Sequence, residues 1–325
     1  MSDWEGVRLH VLSGKGGTGK TTVAAALALA LAVEGRRVLL AEVEGRQGIA
    51  RLFDTAPLDY TERKLTGGPR GGDVYGLAID PEQALREYFT LFYHLGPAGR
   101  VLERLGAIDF ATTIAPGLRD VLLTGKAYEA ARRRTRSGYA YHAVVLDGPP
   151  TGRITRFLNV NTEVAGLAKV GPVHNQAQSI VRFVKSPRTA VHLTTLLADM
   201  PVQETADAIA DLRAAGLQVG AVMVNQVRAP LLAPAGLRQA ASGRIEPATV
   251  AAGLAAAGLD PAAGLVATLR RQAEDHAARI DLESRERAIV AGLGRPVYEL
   301  PLLADGVDLA GLYELALALR DQGAA

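Results

Sequence analysis

Gly14-Lys15-Gly16-Gly17-Thr18-Gly19-Lys20-Thr21-Thr22 stands between a short β-branched run over 7–12 and an almost wholly apolar, Ala- and Leu-rich run over 23–33. Gly14, Gly19, Lys20 and Thr21 complete the pattern G-x-x-x-x-G-K-[ST], whose backbone N–H groups cradle phosphates. The flanks supply the context that this pattern needs. The first run has the length and composition of a buried strand, and the second is a strong helix former. Strand, glycine loop and helix therefore follow in order. Glycines reach backbone conformations closed to other residues and bring N–H groups up to phosphate oxygens. The helix N-terminus adds partial positive charge where the phosphates sit. Gly16, Gly17 and Thr18 belong to the same cradle. Lys20 is expected to reach the β- and γ-phosphates, and the Thr21 hydroxyl to bind Mg²⁺. Thr22, one step into the helix, is expected at the α-phosphate.

The chain of 325 residues can bury a large core, as one elaborated α/β domain or as two domains. Its 48% hydrophobic content is that of a globular protein. With 36 basic and 34 acidic side chains, the net charge of +2 gives no electrostatic case for nucleic acid. The run Arg132, Arg133, Arg134 and Arg136 is a local exception, read as a solvated helix end. Absence of cysteine excludes disulfides, iron–sulfur clusters and thiolate zinc sites. The six histidines show no His-x-His or His-x₃-His spacing for a metal. Asp3 and Glu5 stand where a signal peptide would carry positive charge, and no apolar segment approaches the ~20 residues of a membrane span. A cytoplasmic location is expected.

Further strands are expected over 37–43, 74–79, 143–147, 190–197, 218–225 and 296–300, with helical stretches between them. That alternation predicts an α/β fold, a mostly parallel sheet with helices on both faces. Ligands then bind at the carboxyl ends of strands. Helix-rich stretches over about 81–136 and 159–187 are expected to form a helical subdomain inserted in a single domain spanning 1–325. The region 228–287 is helical in pattern, and its Ala/Gly-rich middle over 233–264 reads as a helical hairpin or a mobile lid. Residues 67–72 read as a flexible connector or hairpin loop.

Asp147 ends the apolar run Ala143-Val144-Val145-Leu146, where an acidic residue holds Mg²⁺ directly or through water. Gly148-Pro149-Pro150-Thr151-Gly152-Arg153 follows, and then Arg156-Phe157-Leu158. With the phosphate loop, this segment resembles the arsenite-pump and guided-entry ATPases, which carry Asp-Thr-Ala-Pro-Thr-Gly-His and then Leu-Arg-Phe/Leu-Leu here. Asp147, Pro150, Thr151, Gly152, Arg156 and Leu158 match, while Gly148, Pro149 and Arg153 depart. Ile79-Asp80-Pro81, Ala84-Leu85, Pro116-Gly117-Leu118, Glu204-Thr205, Val222-Met223-Val224-Asn225-Gln226 and Leu300-Pro301-Leu302-Leu303 extend the resemblance over about 7–320.

The resemblance implies a P-loop NTPase fold with a deviant phosphate loop. It implies that Lys15 crosses a dimer interface to the nucleotide of the other subunit; read alone, Lys15 is a solvated loop lysine. It implies that the loop after Asp147 senses the γ-phosphate. It places Asn225 at the adenine edge and Pro301, Leu302 and Leu303 over the other side of the base. No Asn/Thr-Lys-x-Asp motif for guanine is present, which favours ATP with Mg²⁺.

In the same family, the strand after the phosphate-loop helix ends in Asp-Pro-Ala-His, and that Asp positions or activates the attacking water. This chain reads Glu42-Val43-Glu44-Gly45-Arg46-Gln47-Gly48, with Glu44 at the Asp place. Glutamate can do the same work. Its carboxylate lies one methylene further out, and an ångström-scale misplacement costs ~10²-fold in rate. The other reading makes Glu44 a surface residue closing a strand. Gln47 is a second candidate for orienting water.

The missing cysteines exclude thiolate-bound arsenite and an interfacial Cys-x-x-Cys zinc. Met1, Met200 and Met223 are the only methionines, too few for a Met-rich client groove. Tyr88, Phe89, Phe92 and Tyr93 lie at helical spacing, as core or as the lining of a client groove. The 44–48 string is similar to one subunit of the paired ArsA-like ATPases of actinobacteria, which implies a heterodimer with a paralogue that keeps the Asp-Pro loop. A homodimer is the alternative. The expected function is a dimeric ATPase that opens and closes to handle an unidentified client protein or transporter. A hydrolytically weak, nucleotide-binding scaffold subunit is the second reading. A partitioning ATPase fits less well, because residues 309–319 lack the basic side chains of a membrane-binding helix.

Overall fold

The apolar run after the glycine loop folds as helix α1 (Lys20–Leu31), and every position from Val23 to Leu31 is buried. A helix apolar on all sides needs cover on all sides, and here a β-sheet and the C-terminal helix supply it. The structure, a computed structural model, describes residues 3–93, 117–136, 138–167, 172–304 and 306–325, with side chains at 88–93, 163–167 and 172–173 excepted. The aromatic cluster at 88–93 and Pro116 therefore lie outside the described side chains.

The sheet contains β1 (Leu9–Gly14), β2 (Arg37–Glu42), β3 (Arg63–Gly67), β4 (Asp73–Ala78), β7 (Ala143–Asp147), β8 (Thr189–Thr195), β9 (Val219–Val227) and β10 (Val297–Pro301). Its order is β10-β9-β8-β1-β7-β2-β4-β3. All neighbours are parallel except β3, which runs antiparallel to β4. Side-chain alternation divides the core between two faces. Val38 and Leu40 face α1, α2 (Gly48–Leu52) and α11 (Leu309–Asp321). Leu39 and Ala41 face α4 (Leu118–Arg132), α5 (Thr151–Leu167), α6 (Pro172–Val184) and α7 (Asp199–Ala214). The chain is thus an α/β protein with a mostly parallel sheet covered on both faces, as the alternation predicts. Helix α3 (Pro81–Tyr93) packs on α4, and α8 (Pro234–Ala241) and α9 (Pro247–Ala256) both pack on the long α10 (Ala263–Ala291).

Several local expectations need correction. Strand β3 is absent from the sequence reading, because Arg63-Lys64-Leu65-Thr66-Gly67 carries charge and a bulge suited to a protected sheet edge. Of the two readings of residues 67–72, the hairpin loop holds, since they join β3 to β4. Gly68 N–H donates to Gly72 at 2.8 Å, and Arg70 and Gly71 accept from Glu34 and Gly35 at 3.0 Å each. Helix α5 begins at Thr151, well before residue 159, with Arg153 N–H donating to Pro150 at 2.8 Å. The arginine run is not simply a solvated helix end. Arg133 forms a fork with Glu62 at 2.6 and 2.9 Å and also binds Glu129, while Arg134 enters a two-residue ribbon of β5 (Arg134–Thr135) and β6 (Gly138–Tyr139).

Histidines 182 positions apart meet in the core between β1 and β8. His10 and His192 are 1% and 0% exposed, with His10 Nδ1 and His192 Nε2 at 3.1 Å. Ala221 N–H donates to His192 Nδ1 at 3.0 Å. This makes His192 Nε2 the proton donor to His10. Both rings are therefore neutral. Burial holds His10 well below its ordinary range and lowers His192 to about 3. The unfolded chain takes up protons near pH 6.5 that the folded chain refuses, so this contribution to stability is full above that pH and is lost as pH falls. Between pH 7 and pH 5 the pair is expected to remove roughly 3–4 kcal/mol, at about 1.4 kcal/mol per group per unit. Denaturant titration checks this: the loss between those pH values should be about 2 kcal/mol smaller in His10→Gln. An unchanged loss would contradict it.

Candidate functional site

The carboxyl ends of β1, β2 and β7 converge on one side of the sheet. Register sets Asp147 beside Leu12 on one neighbour and Glu42 on the other. The loop from β1 turns over these ends and enters α1. Two of its glycines are obligatory. Gly14 has φ +155° and faces the Thr194 carbonyl, which a Cβ would overlap. Gly19 has φ +85° and lies against the Asn225 amide, which a Cβ would strike. Gly16 and Gly17 are exposed to solvent. Thr18 is buried, and its hydroxyl donates to the Lys15 carbonyl at 2.9 Å, which closes the loop on itself.

Lys20 and Thr21 begin α1, with Thr22 next on the same half-buried turn. Thr21 Oγ1 donates to Asp147 Oδ2 at 2.6 Å. Burial pushes the Asp147 carboxyl up to about 6, against the lowering influence of that hydrogen bond and of Lys20, with Glu42 and Glu44 raising it further. Lys20, Thr21, Glu42, Glu44, Arg46, Gly48 and Asp147 enclose a cavity of about 40 Å³. The donor set there is one hydroxyl and one carboxylate at hydrogen-bond distance. Such a set suits Mg²⁺, which keeps waters and takes phosphate oxygens instead of a full protein cage. No group of three or more His, Cys, Asp or Glu is placed for a metal among the described residues.

Glu44 is half-buried and lies 3.2 Å from Arg46 and 3.8 Å from Arg153. Arg153 also reaches Asp120 of α4 at 3.3 Å. One guanidinium thus joins the loop after β2, the start of α5 and α4. Gln47 does not face the cavity with its amide. The amide exchanges two hydrogen bonds with the Leu58 backbone, at 2.9 and 2.7 Å, and so cannot orient water there. The sequence reading missed Glu42. This buried carboxylate accepts Gln47 N–H at 2.9 Å and Ile49 N–H at 3.4 Å, and so fixes the loop that carries Glu44. Strand alternation could have pointed to Glu42, since it ends β2 at the same level as Asp147.

Lys15 is folded back within its own chain. Its ammonium pairs with Glu204 of α7, and the same carboxylate accepts from Thr151 Oγ1 at 3.2 Å. No spacing rule links positions 189 apart. Ser13 Oγ, at the end of β1, donates to the Pro149 carbonyl at 2.7 Å and anchors the loop after Asp147. Asn225 is buried, and its amide donates to the Thr18 carbonyl at 3.0 Å. Pro301 ends β10, and Leu302 N–H donates to the Val227 carbonyl at 2.9 Å, with Leu303 next in the chain. The structure therefore brings the phosphate loop, Asp147, Glu44 and Asn225 to one end of the sheet.

A central strand that runs through a glycine loop into a buried helix, with a neighbouring strand's terminal Asp bonded to the loop threonine, defines a P-loop NTPase. The profile of the family described as anion-transporting ATPase matches residues 7–188, and the chain belongs to that family. It is 51% identical over 319 residues to the ATPase BagA of Mycobacterium tuberculosis, covering 98% of this chain and 94% of that one. The arsenical pump-driving ATPase of Escherichia coli is 27% identical over 241 residues, 71% of this chain and 38% of its own length. The ATPase GET3 of Candida glabrata is 24% identical over 253 residues, 66% of this chain and 71% of that one. Among the described residues, no helix is long and apolar enough to cross a membrane.

Proposed function

We propose that this protein binds ATP with Mg²⁺ and hydrolyses it as a dimer, using the nucleotide state to open and close the assembly around a client. The hydrogen bond between Thr21 and Asp147 at the foot of the phosphate loop carries this reading. Lys20 and the loop N–H groups hold the phosphates, and Thr21 and Asp147 hold the metal. The metal supplies charge neutralisation to the phosphates. Glu44 orients the attacking water, and Lys15 contributes its charge to the partner subunit's nucleotide. Asn225 and Pro301–Leu303 bracket the base. The loop after Asp147 relays the change through α5 to a helical subdomain that includes α3 and α4. An arsenical held by thiolates is not part of this proposal, since the chain has no cysteine.

A second reading rests on Glu44. Its carboxylate is engaged by Arg46 and Arg153, which supports weak hydrolysis by the isolated chain and a heterodimer with a paralogue that keeps Asp-Pro at this place. ATP turnover and nucleotide binding, measured with Mg²⁺ and with EDTA, test both. Magnesium-dependent ATP binding that is lost in Lys20→Ala is expected. Turnover at background alone that rises at least tenfold with the paralogue would select the second reading. Failure to bind ATP, or wild-type behaviour in Lys20→Ala, would end both.

A further inference from the structure

A cavity of about 300 Å³ lies at the opposite end of the sheet from the phosphate loop. Four arginines line it: Arg8 before β1, Arg132 at the end of α4, Arg182 in the last turn of α6, and Arg188 before β8. Tyr128, Tyr139 and Phe183 supply the aromatic part of the wall, and among the described residues no carboxylate lines it.

The ends of α4 and α6 carry carbonyl groups that attract cations. Arg8 is committed to carbonyl groups, one in α4 and two in the segment before β7. Its guanidinium donates to the carbonyls of Ala131, Tyr141 and His142, the first at 3.2 Å. Attraction to helix ends does not account for Arg188, which is outside any helix, and among the described residues neither Arg132 nor Arg182, though each sits in a last turn, donates to a helix-end carbonyl. Arg132 touches the Tyr128 hydroxyl, and Arg182 donates to Ser179 Oγ at 3.3 Å. Among the described residues, none of the four pairs with a carboxylate, whereas Arg133, next in the chain, takes two. Arg8 and Arg134 also stack on Tyr139, 3.9 and 4.7 Å from its ring centre. The hydrogen bond from Arg134, with Arg188 and Arg8 nearby, holds the Tyr139 phenol below its ordinary range.

We propose that this cavity binds a small soluble phosphate ester carrying at least two negative charges, held by Arg132, Arg182 and Arg188. The volume is at the lower end of small-molecule sites. Guanidinium groups with free paired N–H donors are the side chains best matched to phosphate oxygens. A bound ester would tie the ends of α4 and α6 to the start of β8. The site is separate from the nucleotide site, so it stands or falls independently of the ATPase reading.

Inorganic pyrophosphate is the probe, titrated calorimetrically into Lys20→Ala so that the phosphate loop does not contribute. Saturable binding is expected, weakened at least tenfold by Arg182→Gln with Arg188→Gln. It should also be weakened severalfold by Arg188→Gln alone, a substitution outside any helix or strand. No saturable binding at millimolar pyrophosphate, or binding that both variants retain, would overturn the proposal. Vesicles containing phosphatidic acid are the second arm. Flotation with such vesicles that is lost in the double variant, without pyrophosphate binding, would replace the soluble ester by a lipid headgroup and overturn the proposal as stated.

Discussion

Lys15→Ala is expected to lower ATP turnover on the order of 10³-fold, the lower range for cations supplied to a phosphoryl group in trans, while ATP affinity changes no more than a few-fold. The resting contact of Lys15 is compatible with the proposed role at a second subunit. Its partner Glu204 and Lys15 itself are each about one-third exposed, at 35% and 31%. Such a pair contributes about 1 kcal/mol or less. Exchange for a phosphate across an interface is therefore inexpensive, and the exchange also releases the Thr151 hydroxyl's acceptor at the start of α5. Mixing separates a role in trans from one in cis. Lys15→Ala keeps an intact nucleotide cradle, and Lys20→Ala keeps Lys15. In mixed dimers, the second subunit can supply its Lys15 to the first subunit's nucleotide. Turnover of the mixture should exceed the sum of the separate variants by at least tenfold. A mixture no better than that sum would place Lys15 in its own subunit's chemistry.

Glu44→Gln is expected to reduce turnover by roughly 10²-fold or more, the scale of a lost general base or water-orienting group, again with ATP binding retained. The informative companion is Glu44→Asp. The carboxylate is held between Arg46 and Arg153, and its loop is pinned from behind by Glu42. Shortening the side chain by one methylene withdraws it from those cations. If the longer side chain misplaces the carboxylate, Asp raises turnover on the order of tenfold, since ångström errors cost up to ~10²-fold. If the geometry is already adapted to Glu, Asp is slower than wild type. Single-turnover rates at saturating MgATP distinguish these outcomes. Turnover unaffected by Gln would remove Glu44 from the chemistry.

Much of the fold could be read from the chain because its strands are buried on both faces and spell apolar runs. Residues 143–147 and 37–42 declare themselves that way. The glycine loop announced itself for a related reason: close approaches at Gly14 and Gly19 leave no room for a side chain. Strand β3 carried no such mark. An edge strand faces water, and its charges look like loop. The start of α5 was hidden because Pro149 and Pro150 suggest a continuing loop, yet they end where a helix can begin. Contacts made by topology alone had no local signature. The meeting of Lys15 with Glu204, of His10 with His192, and of four arginines around one cavity depends on which strands lie side by side. Gln47 misled for the opposite reason. Its chemistry suited water, but its direction is set by a backbone partner eleven residues away.

The encasement of α1 has a consequence for how ligand binding can be observed. Amides in the stretch from Val23 to Leu31 have no exposed face through which to open locally. Their hydrogen exchange should require unfolding of the whole chain, making that helix a built-in gauge of global free energy. A nucleotide that binds only the native state would slow exchange there by the factor 1 + [L]/Kd, so the gauge would read affinity from the deepest amides, without a label at the site itself.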